Sequence, residues 1–136
     1  MSGYISESLR KLVYERANGR CEYCLLNTRY AYFPYEIDHI IAEKHGGKTA
    51  EDNLCLSCFE CNRHKGSDIA SYDQTSEEVV RLFHPRRDQW AEFFRLEDAK
   101  IIALNPIGRV TVKLLQRNQH ERLIERAELL ADGKYP

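Results

Sequence analysis

Two pairs of cysteines carry the clearest chemical signal in the sequence. Cys21 and Cys24 are separated by two residues, and so are Cys58 and Cys61. A two-residue spacer lets one turn present two thiolates to one ion, and Zn²⁺ takes four ligands in a tetrahedron. The pairing therefore predicts a structural zinc site built from all four residues. Cys55 stands outside the paired pattern, and we expect it to be a free thiol in a strand.

Four polar residues accompany the cysteine pairs. Asp38 and His39 are adjacent, Asn53 follows His39 by fourteen positions, and Asn62 comes directly after the last paired cysteine. A carboxylate offers an oxygen ligand to a hard cation, and an imidazole beside it is a base that titrates near neutrality. Asn62, in the first turn of a helix fixed by zinc, offers a second oxygen. A cation with two protein ligands keeps open positions for a phosphate oxygen and water, as phosphodiester hydrolysis requires.

In their order and spacing these segments resemble the HNH endonuclease family, in its four-cysteine zinc-bound form. The resemblance covers about residues 18–68. The matching segments, in chain order, are Cys21-Glu22-Tyr23-Cys24, Glu36-Ile37-Asp38-His39-Ile40, Gly46-Gly47, Asn53-Leu54 and Cys58-Phe59-Glu60-Cys61-Asn62-Arg63-His64-Lys65-Gly66. The resemblance implies an α+β fold with a ββα-metal core, in which two strands joined by a long loop and a following helix hold one divalent cation.

The resemblance also implies a role for each polar residue. His39 would be the general base that takes a proton from the water attacking the phosphorus. Asp38 and Asn62 would hold the catalytic cation, Mg²⁺ or Mn²⁺. Asn53 would steady the loop that carries His39, and we group it with His39 among the catalytic residues. Hydrolysis would leave a 3′-hydroxyl and a 5′-phosphate.

Two short strands and a helix must position these side chains. Residues 36–41 and 53–57 have the pattern of strands, and residues 58–65 that of a helix. Strict alternation along a strand would send Asp38 and His39 to opposite faces. Both side chains reach one cation only if the strand ends or bends at that point.

The flanking sequence predicts further helices and a hairpin. Apolar residues at helical spacing predict a helix over residues 6–18. Residues 69–89 indicate a polar connector with a small apolar island. Residues 90–96 and 100–104 are two strand-like runs, which predict a hairpin.

Two helices are predicted near the end of the sequence. Asn105-Pro106 supplies an N-cap and a first helical residue. Residues 118–121 have the pattern of a capping box that opens the last helix. We expect its core-facing residues to be Leu123, Ile124, Ala127 and Leu130. The organisation predicted is an HNH nuclease core with zinc knuckles over residues 1–70 and an extension over residues 71–136, with a hairpin and two helices, that packs on the core.

Composition limits the location of the protein. The longest apolar run is the four residues 101–104, which excludes a membrane span. Residues 1–4 lack the basic and apolar regions of a signal peptide, so we expect a cytoplasmic protein without membrane contact. Five cysteines in such a chain favour a metal site over disulfides.

The charge balance limits how the protein contacts nucleic acid. Lys and Arg number 20 and Asp and Glu number 21, so DNA contact must use a local patch. We expect Arg63 and Lys65 to contact phosphates of double-stranded DNA, with more distant candidates at Arg20, Lys44 and Lys48. The near-zero net charge predicts modest non-specific affinity, and thus targeting by a protein partner or by DNA structure.

Two other functions compete with the nuclease interpretation. A non-catalytic zinc-knuckle module that binds nucleic acid or protein would explain the cysteines and leave the four polar residues to coincidence. A degenerate nuclease kept as a scaffold is the third hypothesis, although each motif position holds an accepted residue. Nicking of supercoiled plasmid with and without divalent metal distinguishes the three hypotheses.

Overall fold

The computed structural model describes residues 4–136 of the chain. Residues 1–3, on which the expectation about a signal peptide rests in part, lie outside the described residues. No helix within the described part has both the length and the apolar character needed to cross a membrane.

Two antiparallel strands and the helix that follows them form the middle of the fold. β1 (Glu36–His39) pairs with β2 (Leu54–Ser57) in a register that places Asp38 opposite Cys55. α2 (Phe59–Lys65) begins directly after β2, at an N-cap formed by Cys58. This is the ββα order that the sequence predicts, and the α+β class of the fold is confirmed.

The first helix supports the strand pair. α1 spans Glu7–Arg16, and the Ser6 hydroxyl accepts a hydrogen bond from the Leu9 N–H at 3.2 Å, as an N-cap does. The fully buried Val13 belongs to the same apolar core as β2. The helix predicted over residues 6–18 is therefore confirmed.

The connector after α2 is partly regular structure. β3 (Ala70–Asp73) and β4 (Glu78–Arg81) form an antiparallel hairpin, so the prediction of a polar connector is wrong there. The side chain of Val79 in β4 is 74% exposed. Strands this exposed to solvent lack the alternating apolar pattern by which a strand is recognised in a sequence. Arg109 forms a two-pronged ion pair with Asp73 of this hairpin, at 3.1 and 2.9 Å.

A helical turn precedes the second predicted hairpin. α3 (Trp90–Phe93) leads into β5 (Phe94–Glu97), which pairs with β6 (Lys100–Ala103). The predicted hairpin is confirmed, but its first run is wrong over residues 90–93. Trp90 begins this helical turn, and its indole N–H donates to the Tyr23 carbonyl at 3.0 Å.

The last two helices keep their predicted positions. α4 spans Pro106–Leu114, and Asn105 caps it by accepting a hydrogen bond from the Gly108 N–H at 2.8 Å. α5 spans His120–Ala131. Its N-cap is Gln119, which makes no side-chain capping bond, so the predicted capping box is wrong. The Asn118 side chain instead pairs with the backbone N–H and C=O of Ile101, at 2.9 and 2.7 Å.

The buried face of α5 differs from the prediction. Ile124 is 46% exposed and Leu130 is 37% exposed, whereas Arg122 and Arg126 are buried. The apolar periodicity therefore selects the wrong side of the helix. A buried arginine needs hydrogen-bonding or charged partners. This face of α5 therefore packs through polar contacts.

Candidate functional site

The four paired cysteines converge on one point. Their sulfur atoms all lie within 4.8 Å of one another, and the Sγ atoms of Cys24 and Cys58 are 3.8 Å apart. Four sulfurs at about 2.3 Å from a tetrahedral Zn²⁺ would lie about 3.8 Å from each other. The four cysteines are thus positioned to form one metal site, and their donor set fits zinc.

Each cysteine pair is held by a turn of the same design. The Cys24 N–H donates to the Cys21 sulfur at 3.5 Å, and the Cys61 N–H donates to the Cys58 sulfur at 3.4 Å. Burial raises the pKa of the Cys21 thiol, so thiolates this close together require a bound cation. Cys55 is buried outside the cluster, with its sulfur 3.6 Å from the Tyr23 hydroxyl.

An open cleft lies at the end of β1. Asp38, His39 and Asn62 all line it, and its volume is about 420 Å³. β1 ends at His39, so the alternation that would separate Asp38 from His39 stops there. The Asn62 side chain has no hydrogen-bond partner among residues 4–136, which leaves its amide available to a ligand in the cleft.

Lys65 fixes the chain where β1 ends. Its ammonium lies 3.1 Å from Asp38 Oδ2 and donates to the carbonyls of Ile40 at 3.1 Å and His39 at 3.5 Å. The Tyr23 hydroxyl also donates to Asp38 Oδ2, at 3.4 Å. Burial raises the pKa of the Asp38 carboxyl, and the adjacent ammonium offsets part of that rise.

Lys65 is thus not a DNA contact. It is 2% exposed and its ammonium is bound inside the protein, so the prediction that it meets a phosphate is wrong. Arg63 on the same helix is exposed, as are Lys44 and Lys48. Arg20 is half-buried and donates to the Pro136 carbonyl at 3.1 Å.

The imidazole of His39 is hydrogen-bonded within the loop that follows β1. Its Nε2 lies 2.8 Å from the hydroxyl oxygen of Thr49. Thr49 is a site residue that the sequence reasoning missed, because a hydroxyl ten residues along a loop follows no spacing rule. Thr49 contacts Nε2 only, and Nδ1 is the other nitrogen of the His39 ring.

Asn53 closes this loop with its side chain. Its Oδ1 accepts from the Ile41 N–H at 2.9 Å, and its Nδ2 donates to the carbonyls of Ile41 at 2.9 Å and Lys48 at 2.8 Å. A Cβ on Gly47 would lie 1.7 Å from the Ile41 carbonyl oxygen, so only glycine fits where the two segments meet. Asn53 therefore ties the segment after His39 to the segment before Thr49.

The comparison with protein families matches this segment of the chain. Residues 21–68 match the family model described as HNH endonuclease. Residues 21–68 are an HNH domain. The match includes both cysteine pairs and Asp38, His39 and Asn62 of the cleft. Searches of the curated proteins and of the solved structures gave no match.

Side chains from outside the HNH domain contact the paired cysteines. Arg122 of α5 places Nη2 at 3.4 Å from the sulfurs of Cys24 and Cys58, and at 3.6 Å from that of Cys61. The Tyr135 hydroxyl donates to the Cys24 carbonyl at 2.6 Å. Nothing in the cysteine pattern identifies these partners, since they lie more than 60 residues along the chain from the sulfurs or carbonyl that they contact.

Proposed function

We propose that the protein is a metal-dependent DNA endonuclease that hydrolyses phosphodiester bonds through its HNH domain. The observation that supports this best is the convergence of Asp38, His39 and Asn62 on one open cleft. A zinc module that only binds a partner requires the cysteines and has no use for a carboxylate, an imidazole and an amide lining the same cleft.

Asp38 and Asn62 would hold the divalent cation, Mg²⁺ or Mn²⁺. Among residues 4–136, the contacts of the Asp38 carboxylate all involve Oδ2, so Oδ1 would be the ligand atom. Mg²⁺ is usually held by one or two carboxylates together with substrate phosphates, so this small donor set is sufficient. When bound, the cation would stabilise the negative charge that develops on the phosphate.

His39 would act as the general base through Nδ1. The geometry is consistent with Nε2–H donating to the Thr49 hydroxyl, which leaves the lone pair of the neutral ring on Nδ1. Asn53 holds the two segments together, so the ring keeps one orientation. A base held in place can take the proton from water at the moment of attack.

Double-stranded DNA is the proposed substrate. The exposed side chains of Arg63, Lys44 and Lys48 would contact its phosphates. The net charge of −1 gives little general attraction to DNA, so we also propose a targeting partner. A cytoplasmic location would suit the five cysteines, none of which forms a disulfide.

Cleavage of supercoiled plasmid tests the proposed function. The zinc-loaded protein should nick plasmid when Mg²⁺ or Mn²⁺ is added and not when it is withheld. Asn62→Ala should raise the half-saturating metal concentration at least about tenfold, because one ligand is lost. His64→Gln, on the same helix and outside the cleft, is the matched control and should keep the wild-type metal curve.

Two outcomes would contradict this proposal. Folded, zinc-loaded protein that binds DNA and never cuts it at any metal concentration would favour the binding module. An unchanged metal curve for Asn62→Ala would place the cation elsewhere.

Thr49 offers a sharper test of the base. Thr49→Val keeps the size of the side chain and removes the hydroxyl, so His39 loses its orientation. We expect kcat to fall roughly 10- to 100-fold with KM little changed, since small displacements of a catalytic group cost about that much. Thr49→Ser should restore the rate. ¹⁵N NMR of the His39 ring should show the Nε2–H tautomer in wild type, and a ring protonated on Nδ1 would refute the assignment.

A further inference from the structure

Three buried arginines lie outside the HNH domain. Arg117, which follows α4, is fully buried, and Arg122 and Arg126 of α5 are 5% and 1% exposed. Arginine is rarely buried unless an anion or a set of acceptors compensates for its lost hydration. The partner of each guanidinium therefore indicates what it does.

Arg126 is satisfied by neutral acceptors. Its Nε donates to the Ala99 carbonyl at 2.8 Å, and its Nη2 donates to Asn118 Oδ1 at 3.1 Å. These bonds join α5 to the β5–β6 hairpin and to the turn before α5. Arg126 therefore has a structural role that does not involve the metal site.

Arg122 is directed at the metal site instead. One nitrogen, Nη2, lies within hydrogen-bond distance of three of the four cysteine sulfurs. A neutral thiol is a weak acceptor, whereas a thiolate is a strong, charged one. A single NH₂ group shared by three sulfurs fits a cluster of metal-bound thiolates.

Arg117 has a charge without a hydrogen-bonded partner. None of its three guanidinium nitrogens has a hydrogen-bond partner within residues 4–136. Its guanidinium carbon lies 4.2 Å from the ring centre of Phe94 and 5.9 Å from that of Tyr23. Aromatic faces attract a cation but do not neutralise it. Tyr23 stands between the two cysteines of the first pair, so Arg117 lies beside that turn without a hydrogen bond to a sulfur.

We infer that Arg122 is a counter-ion of the four-cysteine zinc site, so that metal retention by the HNH domain depends on a residue outside it. Four thiolates around one Zn²⁺ carry a net double negative charge in a site shielded from water. The Arg122 guanidinium offsets part of that charge. In return, the thiolates allow Arg122 to be buried.

Zinc release in the full-length protein tests this inference. Purified zinc-loaded protein is mixed with excess chromogenic chelator, well below its melting temperature, and the first-order release rate is recorded. Arg122→Met keeps the apolar stem and removes the charge, and we expect release to accelerate about 10- to 100-fold. Arg122→Lys, which keeps the positive charge, should recover part of the loss.

Arg126→Met is the matched control. It removes an equally buried arginine from the same helix without touching a sulfur, so release should stay within about twofold of wild type even if the melting temperature falls. Equal acceleration in Arg126→Met and Arg122→Met would show that general destabilisation is responsible and would overturn the inference. Unchanged release in Arg122→Met would overturn it as well.

Cobalt absorption supplies a readout that destabilisation alone does not move. In the Co²⁺-loaded protein, Arg122→Met should shift the thiolate-to-metal charge-transfer band to longer wavelength, because the thiolates lose a neighbouring positive charge. Arg122→Gln, which also removes the charge, serves if the Met variant does not fold, and an unshifted band in either folded variant contradicts the inference. Wild-type protein that never holds zinc would instead contradict the zinc assignment itself, which keeps the two failures distinct.

Discussion

Replacing Cys58 by serine should release the zinc and unfold the HNH domain. Cys58 contributes one of four sulfurs, caps α2, and accepts the Cys61 N–H and one N–H of Arg122. Structural zinc supplies on the order of 10 kcal/mol of apparent binding free energy, which is comparable to the whole stability of a small domain. Elemental analysis should find about one zinc per wild-type chain and almost none in Cys58→Ser, and circular dichroism should show lost structure.

Cys55→Ser is the matched control for this prediction. Cys55 lies in β2, as deeply buried as the ligands and three residues before Cys58, but outside the metal cluster. The variant should retain its zinc. Zinc lost from Cys55→Ser and kept by Cys58→Ser would show that the ligands are wrongly assigned. A folded wild-type protein without zinc would contradict the prediction altogether.

The parts of the site that sequence reasoning predicts are those governed by short spacings. Two residues between cysteines define a turn, and adjacency of Asp38 and His39 brings both to the point where β1 ends. Asn53 could be predicted only through the family resemblance, and its three side-chain hydrogen bonds explain physically how it holds the loop. Apart from Asn53, these features are set by neighbours within a few residues, so local pattern is sufficient to find them.

The parts that sequence reasoning misses involve long basic side chains. Lys65, Arg122 and Arg126 carry apolar stems that pack like hydrophobic residues, but a periodicity analysis counts them as surface charge. Lys65 was therefore expected at a phosphate and is found beside Asp38. The burial of each one depends on partners far along the chain, which no local window contains.

Replacing His39 by alanine should remove catalysis and little else. The imidazole lies at the end of β1 and contacts the Thr49 hydroxyl, while the zinc ligands and the Asp38–Lys65 pair lie outside that contact. General-base catalysis is typically worth about 10²- to 10⁴-fold, so plasmid nicking at saturating Mg²⁺ should fall by that order. DNA affinity, zinc content and melting temperature should stay close to those of wild type.

His45→Ala is the control that separates loss of the base from loss of any histidine in this loop. His45 is exposed, contacts only the Ser67 carbonyl at 3.1 Å among the described residues, and does not line the cleft. Its variant should nick plasmid at the wild-type rate. If His39→Ala cuts as fast as wild type, the proton transfer does not pass through that imidazole, and the assignment of His39 as the general base is wrong. If both variants lose activity equally, the loop and not the base limits the rate.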